Sequence, residues 1–196
     1  MKGKYRRNIK KAERHGVTVS IHTHDASAVD AFYTVMQEIF KATDYVMHDK
    51  NYFLKVWEQL SQKDLARILL AEHHGAVVGA YLVALDEISV YELYGGVTSE
   101  GRDLEAGYML KWEAMKMTSA LGRRYYDHWG VAPRDLNGNY TKGHPLESIS
   151  SFKHGFGGTD HCFAKTRVLV LNGTKYRMFG ILSQLQKLKI RLKKLV

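Results

Sequence analysis

The pattern of apolar and polar positions in the first half of the chain predicts both helices and strands. Residues 4–15 form a basic stretch at helical spacing, and Gly16 is a typical residue for the end of a helix. Apolar and polar side chains then alternate over residues 17–22, which predicts a half-buried strand. Apolar residues recur at helical spacing over residues 29–40 and 52–60, so two helices should follow.

The second half of the chain predicts more strands than helices. Two apolar segments flank a turn at His73-His74-Gly75, which is the pattern of a β-hairpin. The remaining predicted elements are a third strand over 88–94, a helix over 104–121, a short strand over 124–131, a short helix over 144–156, a final strand over 161–171 and a basic C-terminal helix over 175–196.

This order predicts an α/β (α+β) fold with a mixed, mainly antiparallel central sheet flanked by helices. The 196 residues, 45% of them hydrophobic, suit one domain over residues 1–196, with residues 1–16 as a basic opening helix. Only two prolines and no Ser- or Gly-rich linker interrupt the pattern. The order is similar to the GNAT acyl-CoA N-acyltransferase fold, whose central strands splay apart to admit an acyl donor and an acceptor amine.

The charge balance favours a polyanionic partner. The 29 Lys and Arg against 20 Asp and Glu give a formal net charge of +9, which suits RNA, an anionic membrane surface or a phosphorylated substrate, but also an ordinary basic protein. No apolar stretch follows the N-terminus, and the apolar run 76–85 is too short to cross a bilayer. We therefore expect a cytoplasmic protein, with any membrane contact peripheral and at the inner face.

The turn before the 104–121 helix is where a GNAT enzyme holds the pyrophosphate of coenzyme A. Here residues 99–107 carry three carboxylates and lack the Arg-x-x-Gly-x-Gly/Ala spacing, which disfavours an anion. We therefore predict no bound cofactor. His22 and His24 lie two apart on a predicted strand, but no carboxylate or cysteine motif completes a metal site, so no metal is predicted either.

Four stretches together resemble the Fem family (FemABX-like) of peptidoglycan peptidyltransferases. In chain order they are the basic segment 6–17, Leu93-Tyr94-Gly95-Gly96, Tyr126-Asp127-His128-Trp129-Gly130-Val131 and Phe152-Lys153-His154-Gly155-Phe156-Gly157-Gly158. Fem proteins are bacterial transferases that move an amino acid from aminoacyl-tRNA to the stem peptide of a peptidoglycan precursor. Many have two tandem GNAT-like domains, and this chain resembles the second.

The resemblance implies partners as well as an activity. Aminoacyl-tRNA would be the co-substrate, a UDP-linked or lipid-linked peptidoglycan precursor the acceptor, and a preceding GNAT-like domain a further partner. The C-terminal helix is basic and amphipathic, so contact with anionic lipid, contact with tRNA phosphates and packing on another domain all stay open.

The resemblance also implies a reaction centre at Phe152-Lys153. Attack of an amine on the aminoacyl ester generates an oxyanion, and Lys153 is the cation expected to stabilise it, with the Phe152 backbone lining the donor channel. Asp127 is the candidate general base. The alternatives are that Lys153 is a solvated helix residue and that Asp127 caps a turn.

Substrate binding is assigned to four further residues. Tyr94 would bind substrate through its phenol, unless it is a core residue, and Arg6 belongs to the basic segment. In the loop where the family often has a phosphate-binding arginine, this chain has Thr43 and Tyr45, whose hydroxyls are candidate donors to phosphate. A coenzyme A-dependent N-acyltransferase and a non-catalytic module that binds RNA or a cell-wall precursor are the remaining interpretations.

Overall fold

A computed structural model describes residues 1–41, 47–164 and 167–193, with side chains described as far as residue 185. The chain divides into two compact units, residues 1–159 and 160–196. The elements of the first unit, in chain order, are α1 Gly3–Arg14, β1 Thr18–His22, α2 Ser27–Lys41, α3 Lys50–Ser61, β2 Ala66–His73, β3 Ala76–Leu85, β4 Ser89–Val97, α4 Ser99–Asp103, α5 Ala106–Ala120, β5 Tyr125–Asp127 and α6 Glu147–Gly155.

The first unit is built on one five-stranded sheet in the order β1-β2-β3-β4-β5. Neighbouring strands from β1 to β4 are antiparallel, whereas β5 pairs with β4 in parallel. The predicted mixed, mainly antiparallel sheet is therefore confirmed. The hairpin turn is confirmed too, because His74 and Gly75 have φ angles of 48° and 81° between β2 and β3, as a two-residue turn requires.

Helices cover both faces of the sheet because the strands are apolar on both sides. On one face, Leu69 and Ala71 of β2 pack with α1 and α5, which contribute Ala12, Leu110 and Ala114. On the other face, residues of α2 and α3 pack against the alternate positions of β2 and β3, and these are Val29, Phe32, Phe53, Trp57, Ile68, Leu70, Ala80 and Leu82. The core thus consists of two layers separated by the sheet.

An irregularity in β4 sends two of its side chains to opposite faces. The register pairs Leu82 with Tyr94 but Val83 with Glu92, so one extra residue of β4 lies between the two pairs. Without this bulge, positions 92 and 94 would face the same side. Instead Tyr94 joins the α2–α3 layer, and Glu92 faces α5.

A third apolar cluster joins the two ends of the first unit. Tyr5 of α1 packs edge-on against Tyr108 and Phe156, each with ring centroids 4.9 Å away. The Tyr5 hydroxyl donates to the Ser151 carbonyl at 3.3 Å, and the Lys2 amide donates to the Gly155 carbonyl at 2.9 Å. These contacts hold α6 against α1 and α5.

Three predicted elements of the second half differ in the structure. The 104–121 helix is preceded by a separate helical turn, α4, and α5 begins only after Glu105, which has a left-handed φ of 59°. The 124–131 strand is only three residues long, because Asp127 accepts the Trp129 amide at 2.7 Å and the chain turns away. The predicted final strand is wrong, since the described residues between 161 and 171 pair with no strand.

The second unit contains α7, Gly173–Lys193, where the basic C-terminal helix was predicted. Residues 160–196 hold nine of the 29 Lys and Arg but only one of the 20 Asp and Glu, so they carry +8 of the net charge of +9. None of the described helices combines the length and the apolar character needed to span a bilayer. The boundary of one domain over residues 1–196 stays a prediction.

Candidate active site

The sheet opens where β4 continues and β5 does not. The two strands pair only from Ser89 to Tyr91 of β4, and the remaining residues of β4, up to Val97, have no β5 partner. A cavity of about 370 Å³ lies beside this unpaired part of β4. Its lining residues come from six elements and from the turn before α5, and they are Ile39, Tyr81, Glu92, Gly95, Gly96, Val97, Arg102, Glu105, Gly107, Tyr108, Lys111, Ile149 and Phe152.

A buried ion pair forms one wall of the cavity. Lys111 of α5, 1% exposed, donates from Nζ to Oε2 of Glu92, which is 9% exposed, and the Tyr126 hydroxyl donates to the same oxygen at 2.5 Å. Burial lowers the pKa of Lys111, and the negative charge of Glu92 opposes that shift. Burial also raises the pKa of Tyr126 well above its ordinary value, with Glu92 adding to the effect, so its phenol keeps the proton that it donates.

Sequence reasoning missed Lys111, Glu92 and Tyr126 as site residues. The sequence of α5 did contain a signal for Lys111. Lys111 lies four residues after Gly107 and three before Ala114, so it shares a helix face with small residues, which is a face that packs closely on other elements. A charged residue on such a face is unusual, because buried lysines need a partner. Glu92 gave a weaker signal, since the bulge that turns it toward α5 is not visible in the alternation.

Lys153 is a buried residue of α6 rather than a solvated one. It is 7% exposed, and its Nζ donates to the Gly130 carbonyl at 2.8 Å. Burial lowers its pKa, the charge of Lys111 lowers it further, and Glu92 and Asp127 raise it. Among the residues that the structure describes, no carboxylate lies within ion-pair distance of Nζ, and Lys153 is not one of those lining the cavity.

Phe152, the neighbour of Lys153, does line the cavity. Its ring lies 5.1 Å from Tyr108 and 5.3 Å from Phe156, measured between centroids, and 5.9 Å from the Nζ of Lys111. Of the predicted Phe-Lys pair, Phe152 therefore forms part of the cavity wall, whereas Lys153 is buried and bonded to the Gly130 carbonyl.

Asp127 and His128 lie at the end of β5. Asp127 is half-buried, and its Oδ1 accepts the Trp129 amide, which is the turn-capping arrangement considered as an alternative. The His128 ring contacts Tyr126 at a centroid distance of 5.0 Å, and its Nδ1 is buried with no hydrogen-bond partner among the described residues. Burial and the charge of Lys111 lower the pKa of His128 to about 4, so its imidazole is neutral at physiological pH.

Of the predicted substrate-binding residues, the two that the structure describes, Tyr94 and Arg6, do not line the cavity. Tyr94 packs on Phe53 in the α2–α3 layer, and its hydroxyl lies 3.1 Å from that of Tyr52; burial and this hydrogen bond raise the pKa of Tyr94 to about 12. Arg6 is exposed on α1. Thr43 and Tyr45 lie outside the described residues.

The turn that would hold a pyrophosphate is already occupied by protein acceptors. The Ser99 amide donates to Oε1 of Glu38 at 3.0 Å, and the Gly101 amide donates to the Thr98 hydroxyl at 3.0 Å. A Cβ at Gly101 would lie 2.1 Å from the Val78 carbonyl oxygen, so this glycine serves the contact with β3. Glu100, Asp103 and Glu105 belong to this segment, as does Arg102, and Glu38 is bonded to it. The bonded amides and the carboxylates disfavour a pyrophosphate at this turn.

Comparison with known proteins identifies the fold. Residues 1–139 match the family described as an acetyltransferase (GNAT) domain. No curated protein matches the chain. The crystal structure of FemX is similar with a TM-score of 0.71 and 15% identity over 80% of this chain and 54% of FemX, so the chain spans about half of FemX.

Two acetyltransferase structures are also similar. The aminoglycoside N-acetyltransferase AAC(6')-Iy in complex with CoA has a TM-score of 0.54 and 13% identity, covering 80% of this chain and 97% of its own. The aminoglycoside acetyltransferase meta-AAC0020, from an uncultured soil metagenomic sample, has a TM-score of 0.53 and 10% identity, covering 79% and 96%. At these identities the likeness is one of fold, and it confirms the predicted GNAT-like fold class.

Proposed function

Because the chain belongs to the acetyltransferase (GNAT) domain family, we propose that it transfers an acyl group to an amine and that the acyl group is an amino acid carried by tRNA. The acceptor in this proposal is the stem peptide of a peptidoglycan precursor. Two lines of argument support it, the chemistry of the donor-binding turn and the resemblance of four sequence stretches to the Fem family.

The observation that carries the proposal is the turn between β4 and α5. An acyl donor with a pyrophosphate needs free amides and a favourable potential there, whereas the Ser99 amide is bonded to the Glu38 carboxylate and the Gly101 amide to the Thr98 hydroxyl. An aminoacyl ester on RNA has no pyrophosphate next to its acyl group. A donor of that kind avoids the conflict at this turn.

The likeness to FemX agrees with this choice. FemX overlays on this chain with a TM-score of 0.71, against 0.54 for the acetyltransferase in complex with CoA. Two of the four segments that resemble the Fem family border the cavity, since Gly95 and Gly96 of one segment and Phe152 of another line it. Their position at the cavity supports the proposal.

The reaction is an aminolysis of an ester. The acceptor amine attacks the carbonyl carbon, the new C–N bond forms, the C–O bond to the ribose breaks, and the amine proton ends on the leaving hydroxyl oxygen. The oxyanion formed on the way requires a positive group. The Nζ of Lys153 donates one hydrogen bond, to the Gly130 carbonyl, and has two further N–H groups to donate. A buried cation is stabilised by an anionic partner, and the oxyanion would be such a partner.

The proposal assigns the other predicted residues to substrates. Asp127 is the candidate base, because Trp129 occupies only Oδ1 and leaves Oδ2 to accept a proton. Arg6, on the exposed side of α1, is assigned to phosphates of the tRNA or of the precursor. Tyr94 remains a candidate for holding the precursor on the α2–α3 side of the sheet, and Thr43 and Tyr45 remain candidate donors to its phosphates.

The experiment is to measure transfer of labelled amino acid from charged tRNA to a peptidoglycan precursor by wild type and by Lys153→Met. Removing the cation should lower kcat about 10²- to 10³-fold, the usual range for one oxyanion donor. Lys63→Met is the matched control, because Lys63 is an exposed lysine in the turn after α3. Turnover of the Lys153→Met enzyme at the wild-type rate would contradict the assignment.

A coenzyme A-dependent N-acyltransferase is the second candidate, and the family match favours it, since that family is described by acetyl transfer. Calorimetric titration with acetyl-coenzyme A separates the two functions. The occupied turn predicts no saturable binding at micromolar concentrations, whereas a tight, stoichiometric complex would favour this candidate over aminoacyl transfer.

A further inference from the structure

One oxygen of Glu92 is left free at the cavity wall. Both hydrogen bonds that the structure gives this carboxylate, from Lys111 Nζ and from the Tyr126 hydroxyl, go to Oε2. Oε1 receives no hydrogen bond from any described residue, although a carboxylate oxygen accepts two. Glu92 itself lines the cavity, so Oε1 is an acceptor available to a ligand there.

The surroundings hold the Glu92 side chain in place. Lys111 and Tyr126 fix the carboxylate from one side through Oε2, and the bulge in β4 fixes the direction of the side chain. Tyr81 is a neighbour of Glu92, and its pKa is raised well above the ordinary value, first by burial and then by the negative charge of Glu92. A fixed carboxylate with one oxygen that accepts no hydrogen bond is suited to a cationic ligand group in the cavity.

Glu105, another carboxylate at the cavity, differs in this respect. Its Oε1 accepts from Lys11 Nζ at 3.2 Å and its Oε2 from Asn8 Nδ2 at 3.3 Å, so both oxygens are committed to α1. Its charge therefore serves the contact between α1 and α5. Among the described carboxylates that line the cavity, Glu92 is the one with an oxygen to spare.

The walls beside Glu92 indicate what kind of group would enter. Tyr81 and Phe152 provide aromatic surface, and Gly107 adds no side chain, so the space suits a small acyl group with a compact polar end. Lys111 lines the same cavity and pairs with Glu92 through Oε2, so a cation on Oε1 would share this carboxylate with Lys111. An α-ammonium group is such a compact cation.

Resting on the proposed aminoacyl transfer, we infer that Oε1 of Glu92 binds the α-ammonium group of the amino acid being transferred. The cavity would then distinguish aminoacyl donors from acyl donors that lack this cation. Specificity arises because a buried carboxylate left without its ligand partner has an unsatisfied acceptor, which costs more than a missing apolar contact.

The test compares two RNA acceptor-stem helices, one charged with alanine and one with lactate, which replaces the α-ammonium by a hydroxyl. Wild type should prefer the alanyl donor by at least about 10-fold in kcat/KM, as a charge-assisted hydrogen bond implies. Glu92→Gln should bring the two donors within about threefold of each other, because alanyl transfer slows more than lactyl transfer. Glu105→Gln is the matched control and should keep the wild-type ratio.

Failure of the inference and failure of the proposed function give different results. If Glu92→Gln slows both donors equally, Glu92 does not bind the ammonium, and aminoacyl transfer still stands. If wild type uses neither donor, the transfer proposal is wrong. A binding measurement then tests separately whether Glu92 binds the α-ammonium group. For that purpose, calorimetry compares 3'-amino-3'-deoxyadenosine carrying alanine or lactate through an amide. Equal dissociation constants in wild type would overturn the inference, and an alanyl preference lost in Glu92→Gln would support it.

Discussion

His128 is a neutral histidine enclosed by charged groups. Glu92, Lys111, Lys153 and Asp127 all act on it, and burial is the largest reason that its pKa falls to about 4. Between pH 6.5 and 4 the unfolded chain therefore binds a proton that the folded chain does not. The resulting stability is complete above pH 6.5 and declines as the pH falls through this window.

We predict that His128→Phe weakens this pH dependence. Phenylalanine keeps an aromatic contact with Tyr126 and Phe156 but does not titrate. The measurement is the free energy of unfolding from urea titrations at pH 7 and pH 5, for wild type and variant. The loss of stability between the two pH values should be smaller in the variant, and equal losses would contradict the buried neutral state of His128.

Some residues of the candidate site could be predicted from the sequence, and others could not. The Phe152-Lys153 pair could be singled out because its neighbouring letters resemble a family, and Phe152 does line the cavity. The burial of Lys153 could not be read from the letters, because it depends on the Gly130 carbonyl, 23 residues away. Lys111 and Glu92 were missed for a similar reason, because the burial of each charge depends on its ion pair with the other, 19 residues away.

At the level of elements, the packing of α6 on α1 depends on the absence of a side chain at Gly155. A Cβ there would lie 1.9 Å from Cζ of Tyr5 and 2.2 Å from its hydroxyl oxygen. Tyr5 cannot move freely, because Tyr108 and Phe156 contact its ring edge-on. The close contact of the two helices therefore requires glycine at this position.

We predict that Gly155→Ala lowers the free energy of unfolding by about 1–3 kcal/mol, the usual cost of overpacking. Gly107→Ala is the matched control in α5, because a Cβ there meets no atom closer than 3.6 Å. It should be neutral or stabilising by about 0.5–1 kcal/mol through helix propensity. Urea unfolding measures both, and a Gly155→Ala protein as stable as wild type would show that the helices do not meet as described.

Elements with strong periodicity were predictable, and those that depend on a distant partner were not. Helices α1, α2 and α3 and strands β2, β3 and β4 follow from apolar spacing that agrees with their burial. The predicted strand over 161–171 failed because alternation supplies no hydrogen-bonded neighbour. The break at Glu105 was missed because it is stabilised by Asn8 and Lys11 of α1, far away in sequence.

For the whole molecule, charge and fold are distributed unequally between the two units. Residues 1–159 contain the sheet and all the described residues that line the cavity, but only +1 of the net charge of +9. The nine Lys and Arg of residues 160–196 give this segment the net positive charge that a polyanion binds.

We predict that a fragment of residues 1–159 folds cooperatively but binds tRNA much more weakly than the full chain. Its core clusters are complete without residues 160–196, so urea unfolding should give a single sigmoidal transition. Because each phosphate contact adds to the salt dependence, the slope of log K against log salt should be shallower for the fragment. Equal tRNA affinity and equal slope would show that the basic segment does not contact the RNA.

The early end of β5 has a consequence for engineering. The width of the opening beside β4 is set by one turn, in which Asp127 accepts the Trp129 amide and Trp129 has a left-handed φ of 64°. Sequence changes that favour an extended backbone at positions 128–130 would let β5 continue along β4 and narrow the opening. The length of this short strand is thus a design variable for the size of acyl group that the scaffold admits.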